Sequence, residues 1–131
     1  MQFALLIYED EAIFGPGKGG PKMDDIVARH IAFTKELGNR RVSGTGLKST
    51  AAATTVRTTQ GKQTLHDGPF AETKEQLGGF FLIKAQDLNE AIQVASRWPS
   101  ARLGSIEVRP IEEKLREDAR YLSSQKWGIV I

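Results

Sequence analysis

The chain contains no cysteine. That excludes disulfides, thiolate metal sites and thiol nucleophiles, and it suits a reducing compartment. It also lacks a surplus of either charge: 18 Lys and Arg stand against 16 Asp and Glu, a net of +2 over 131 residues. The two signs are interspersed, and no basic block is long enough to track a phosphate backbone, which argues against nucleic-acid binding. Long apolar runs are missing too. The run Phe3 to Tyr8 in MQFALLIYEDEA follows no basic segment and is far too short to cross a bilayer. The expectation is a soluble, cytoplasmic protein with no membrane association.

Fingerprints of cofactor and metal chemistry are equally scarce. Within GPGKGGP, Gly15 and Gly20 have the separation of a phosphate-binding loop, but Pro21 stands where the lysine is required. No GxSxG step presents a nucleophilic serine. The two histidines, His30 and His66, fall in no HxH or HExxH pattern. No cofactor and no metal are therefore expected.

What is present is an ordinary globular composition, 40% hydrophobic and 26% charged, in a chain long enough to bury a core without staples. Phe3 to Tyr8 reads as a strand buried on both faces. The GPGKGGP stretch reads as a mobile surface loop. Asp24 or Asp25 is placed to cap a helix, with Ile26, His30, Phe33 and Leu37 on one stripe, Val27 and Ile31 beside it, and Gly38 as the stop. Val42 to Gly46 reads as a short strand. Thr54 to Thr59 and Lys62 to Leu65, separated by Gln60-Gly61, read as a hairpin.

Gly79 to Ala85 reads as a second core strand. Asp87 and Glu90 form a capping pair for a helix expected to turn Leu88, Ala91, Ile92, Ala95 and Trp98 inward before Pro99 stops it. Ser105 to Arg109 alternates as a half-exposed strand. The order β-α-β-hairpin-β-α-β predicts an α+β, ferredoxin-like protomer with two helices on one face of an antiparallel sheet. The other sheet face then needs a cover, and a homodimer through that face supplies it.

The stretch DGPFAETKEQLGGFFLI, residues 67–83, resembles the signature of the DGPF branch of the YCII-related proteins. FALLIYEDE, HIAFTKEL and SARLGSIEVRPI match as well, so the resemblance covers residues 1–112. It implies a dimeric α+β barrel, a superfamily that holds muconolactone isomerase-like enzymes, small monooxygenases, dehalogenating enzymes and members without an assigned reaction. Residues 113–131 extend beyond it. Ile111, Leu115, Ala119 and Leu122 keep helical spacing there, ahead of the apolar end WGIVI, which predicts a helix docked on the core or on the second subunit.

Two readings stand for Asp67. Asp67-Gly68-Pro69 is a turn signature; it is also a carboxylate beside Phe70, whose ring would lower the local dielectric and tune a general base. His30 is either a half-buried helix histidine or a proton shuttle. The broader YCII-related proteins carry a similar His-apolar-Ala step in the first helix, matched here by His30-Ile31-Ala32, paired there with an aspartate. Asp67 comes from a different segment from that aspartate, and if it meets His30 it would fix the imidazole tautomer. Phe70, Glu72, Lys74 and Tyr8 complete the candidate substrate contacts, with Lys74 suited to a small carboxylate. His66 is expected to be exposed rather than catalytic. Gly78 and Gly79 are expected to let a neighbouring strand or ligand approach closely.

The leading expectation is a cofactor-independent enzyme that transfers a proton to or from a small anionic or lactone-like molecule, in a pocket between the first helix and the DGPF turn. The alternative is a non-catalytic metabolite-binding or regulatory module, such as an accessory partner of an alternative sigma factor, with the C-terminal tail as the docking element for a protein partner.

Overall fold

The computed structural model describes residues 1–15 and 18–112. In chain order these form β1 (Gln2–Glu9), α1 (Pro21–Leu37), β2 (Arg41–Gly46), β3 (Thr54–Thr59), β4 (Lys62–Asp67), β5 (Gln76–Lys84), α2 (Leu88–Arg97) and β6 (Gly104–Pro110). Four strands pair antiparallel in the order β2-β5-β1-β6, and β3 and β4 form a separate hairpin. This is the ferredoxin-like α+β arrangement expected from the sequence. The predicted tail helix lies at residues 113–131, outside the described residues.

Strand β1 sets the two faces of the sheet. Phe3, Leu5, Ile7 and Glu9 are buried, while Ala4, Leu6 and Tyr8 between them are only half-buried. The apolar run is thus not buried on both faces within one chain; side chains alternate, and only one face meets the helices. On that face Phe3 and Leu5 pack with Phe81 and Ile83 of β5, Phe33 and Leu37 of α1, and Ala91, Val94 and Ala95 of α2. Each large apolar side chain buried here contributes roughly 1.5–3 kcal/mol. Trp98, just after α2, closes the core, with its ring centroid 4.3 Å from that of Phe81 and 5.1 Å from that of Phe33.

The helix ends follow local chemistry. Helix α1 begins about one turn of sequence earlier than a cap at Asp24 or Asp25 would place it. Gly20 (φ 93°) is its N-cap and Pro21 its first residue, a position that suits proline because no helical N–H partner is lost. Asp24 still serves the positive end of the helix, and Asp25 pairs with Arg29 at 3.0 Å. Gly38 (φ 59°) ends the helix with its N–H on the Thr34 carbonyl. In α2 the Asp87 carboxylate accepts from Glu90 N at 2.9 Å, as the sequence predicted. Leu88 and Ile92, however, are exposed, and Val94 takes the inward position with Ala91 and Ala95. The buried arc of this short helix is Ala91, Val94 and Ala95, and Leu88 and Ile92 lie off it.

Candidate functional site

The site is built by what β1, β2 and β5 do at one end of the sheet. The register of β1 and β5 breaks between Ile7 and Tyr8: Ile7 pairs with Gly79 and Tyr8 with Leu77, so Gly78 is an extra residue in the ladder. A Cβ on Gly78 would overlap the Glu9 carboxylate, and a Cβ on Gly79 would press on the Thr45 carbonyl. The two glycines therefore permit the close approach expected of them. On β2, Gly44 and Gly46 fall on the helix-facing parity, and Gly44 lies directly against the Phe81 ring. This end of the sheet is floored by backbone rather than side chains, and a cavity of about 300 Å³ remains between it and α1.

His30 lines that cavity, together with Ile26, Val27 and Ile31 of α1, Arg41 and Thr45 of β2, and Phe81 of β5. Its Nε2 is 3.3 Å from the hydroxyl of Ser100, a residue only 1% exposed in the turn after α2. Phe81 and Trp98 flank the ring, with centroids 6.0 and 6.2 Å away. Burial against this apolar wall lowers the imidazole pKa from its ordinary value of 6.5, so His30 is neutral at pH 7 and able to accept a proton. Ser100 engages Nε2, and Nδ1 has no hydrogen-bond partner among the described residues.

Two cations share the cavity. Arg41 places its guanidinium 5.7 Å from the Phe81 centroid and donates from Nη2 to the Gly44 carbonyl at 3.2 Å. Its Nε is a buried donor with no acceptor among the described residues. Lys18 comes from the glycine-rich loop. Its ammonium is 2.5 Å from a Glu9 carboxylate oxygen and 3.2 Å from the Leu47 carbonyl oxygen. Both Glu9 and Lys18 are buried, so at Lys18 the loop turns inward rather than lying wholly on the surface.

The other predicted residues lie elsewhere. Asp67, at the end of β4, is exposed and lines a shallow cavity with Glu11, Thr50, Gly68, Pro69 and Glu72. The Glu11 carboxyl there is raised by burial, but the Thr50 N–H shared between its two oxygens, the Thr50 hydroxyl and the nearby Lys18 charge outweigh this and hold it below its ordinary value. Phe70 is 78% exposed, with the Arg57 guanidinium 5.2 Å from its centroid, so its ring does not enclose Asp67. Tyr8 and Phe70 do come together, in a cavity with Leu47, Pro69 and Leu77 at the open sheet face. Glu72, Lys74 and His66 are exposed. His30 and Asp67 line separate cavities, and no hydrogen bond joins them among the described residues. The cavity beneath α1 is bounded by the bulge and by Lys18, not by the DGPF turn.

Sequence reasoning missed Glu9, Lys18 and Arg41. One signal was legible: Glu9 falls on the buried parity of Phe3, Leu5 and Ile7, where a charge requires a partner. The match of the YCII-related domain model spans residues 1–114. The chain belongs to the YCII-related family. Over 117 residues this YCII-related chain is 38% identical to an uncharacterised protein of Rhizobium meliloti strain 1021, covering 85% of the chain and 92% of that relative. Among solved structures it is similar in fold to the 5-chloro-2-hydroxyhydroquinone dehydrochlorinase of Burkholderia phenoliruptrix AC1100, in a complex with 2,5-dihydroxybenzoquinone. That likeness has a TM-score of 0.53 and 16% identity, covering 86% of this chain and 94% of the dehydrochlorinase. Among the described residues of the YCII-related chain, no group of three or more potential metal ligands gathers, and no helix is long and apolar enough to cross a membrane.

Proposed function

We propose that this protein is a small-molecule enzyme that transfers a proton between His30 and a small anionic or lactone-like substrate held beneath α1, by acid–base chemistry that needs no cofactor. The observation that carries this reading is a single one: an imidazole kept neutral by burial, fixed by Ser100, on the wall of a cavity that also holds Arg41 and Lys18. A neutral imidazole is a base matched to pH 7. Two cations against the one carboxylate of Glu9 leave the cavity with a surplus positive charge, which favours an anionic ligand. The dehydrochlorinase with its quinone supports the choice of a small enolisable or phenolic molecule on this fold. Asp67, beside Glu72, is the alternative proton-transfer group, acting at its own cavity.

The test is a thermal-shift screen of small carboxylates, lactones and phenols on the wild type, His30→Gln and Asp67→Asn. Ligands that stabilise the wild type are then followed by NMR for deuterium exchange at their acidic C–H positions. The reading expects exchange that His30→Gln abolishes while binding persists. Exchange that survives in His30→Gln and is lost in Asp67→Asn moves the chemistry to the second cavity. Binding without exchange in any form favours the non-catalytic, metabolite-binding alternative.

We also infer that two copies pack through the sheet face opposite the helices. That face presents Leu6, Tyr8, Leu77, Phe80 and Leu82, which are exposed or half-buried in one chain. Light scattering should give twice the 14.4 kDa chain mass, and Phe80→Lys should give the monomer. A monomeric wild type contradicts this. A protein partner is the second reading, and it draws on the hairpin, where Val56 and Leu65 are exposed.

A further inference from the structure

We propose that Lys18 is a substrate-binding residue: its ammonium donates a hydrogen bond to an ionised oxygen of the ligand beneath α1, and Glu9 is its fixed counter-ion. This rests on the reading of that cavity as the substrate site.

A lysine in a loop of glycines and prolines would ordinarily lie in water, where its charge costs nothing. Lys18 is instead only 8% exposed. Its backbone takes φ 58°, a left-handed conformation that non-glycine residues seldom adopt and that persists only where the surroundings enforce it. The carboxylate it meets is also placed at a cost to the sheet. Glu9 occupies a core-facing position of β1, and the bulge at Gly78 leaves the space its carboxylate fills.

Stability alone does not account for this pair. Buried ion pairs are often no more stabilising than apolar residues of the same shape, because both charges lose their water. A binding role does account for it. An ammonium has three N–H donors. Counting the ion pair with the Glu9 carboxylate at 2.5 Å and the hydrogen bond donated to the Leu47 carbonyl at 3.2 Å, two of them are engaged. The third has no acceptor among the described residues, in a cavity shared with His30. Glu9 keeps the lysine charged and in place. A ligand oxygen at the third N–H would be stabilised as an anion, while His30 stands on the same cavity wall to exchange a proton.

The test uses 4-nitrophenol, whose phenolate absorbs visibly and whose neutral form does not. The full-length wild type, Lys18→Met, the charge-free double variant Glu9→Gln/Lys18→Met, and Gly46→Leu are titrated at a pH where free probe is largely neutral. The double variant keeps the result interpretable if Lys18→Met alone unfolds, because it leaves no unpaired carboxylate. Gly46→Leu places a bulky side chain at a residue that lines the cavity, where no atom lies within 4 Å of the added Cβ, and so obstructs it.

The expected result is bound phenolate in the wild type. The double variant should bind it roughly tenfold to a hundredfold more weakly and as the neutral phenol, the range for losing a charged hydrogen bond, and Gly46→Leu should not bind. Unchanged phenolate binding by the double variant, with none by Gly46→Leu, overturns the role of Lys18 and leaves the cavity as the site. Unchanged binding by Gly46→Leu places the ligand elsewhere and overturns both readings, as does the absence of binding by the wild type at millimolar probe.

Discussion

The Glu9 carboxylate and the Lys18 ammonium meet at 2.5 Å inside the protein, nine residues apart in sequence and each almost wholly shielded from water. The pair ties the glycine-rich loop to the end of the first strand, beside the only histidine of the first helix. Removing one partner strands a buried charge, whereas removing both does not. Lys18→Met alone should therefore lower the unfolding free energy by about 3 kcal/mol, and Glu9→Gln/Lys18→Met should recover most of that. Urea denaturation of the three proteins checks it; a double variant no more stable than Lys18→Met contradicts it.

Gly44 and Gly46 sit two residues apart on the same face of β2 and should answer differently to the same change. A Cβ on Gly44 overlaps the Phe81 ring, so Gly44→Ala should cost about 1–3 kcal/mol, the usual range for overpacking. A Cβ on Gly46 meets no atom within 4 Å. Gly46→Ala should leave stability within about 0.5 kcal/mol of wild type, with any effect confined to ligand binding. Melting curves and a ligand titration on the two variants separate these outcomes.

The burial of His30 makes stability depend on pH. Its pKa is lowered on folding, so below its ordinary value of 6.5 the unfolded chain takes up a proton more readily than the folded one. This contribution is fully present above 6.5 and is lost as pH falls through that value toward the lower folded pKa. The urea midpoint of the wild type should fall more steeply than that of His30→Gln between about pH 7 and about pH 5. Parallel slopes would mean that the imidazole titrates as freely in the folded protein as in the unfolded chain.

At the start of α2, the Asp87 carboxylate holds the Glu90 amide at 2.9 Å. Asp87→Ala should cost about 1 kcal/mol, the usual value of a lost N-cap, and Asp87→Ser should recover most of it. The check is again the urea midpoint.

The sequence made the fold legible because local signals agreed with the tertiary arrangement. Gln60 and Gly61 both take positive φ, 50° and 75°, as a two-residue hairpin turn requires, and Asp87 caps the helix it appeared to cap. His30 fell on the α1 stripe with Ile26, Phe33 and Leu37, and it does line a cavity. The remainder depended on relations that a linear reading does not hold. Leu88 and Ile92 are apolar on a helical wheel, but they lie off the buried arc of Ala91, Val94 and Ala95 and are exposed. Lys18 looked like a loop residue because nothing local announces a partner on a strand. The DGPF motif points to Asp67, yet the enclosed cavity is lined by Glu9, Gly78, Gly79 and His30 and not by the DGPF turn.

The central claim is that ligands enter the cavity beneath α1 rather than the cavities around the DGPF turn. The chain has two histidines, and they report on the two places separately: His30 lines the first cavity, and His66 lies near Pro69 and Phe70 at the second. The most direct measurement is the imidazole NMR spectrum of the wild type, assigned with His66→Gln, during a titration with 4-nitrophenol. The account predicts saturable shifts of the His30 ring signals while those of His66 stay in place. Shifts confined to His66, with His30 unmoved, would contradict it.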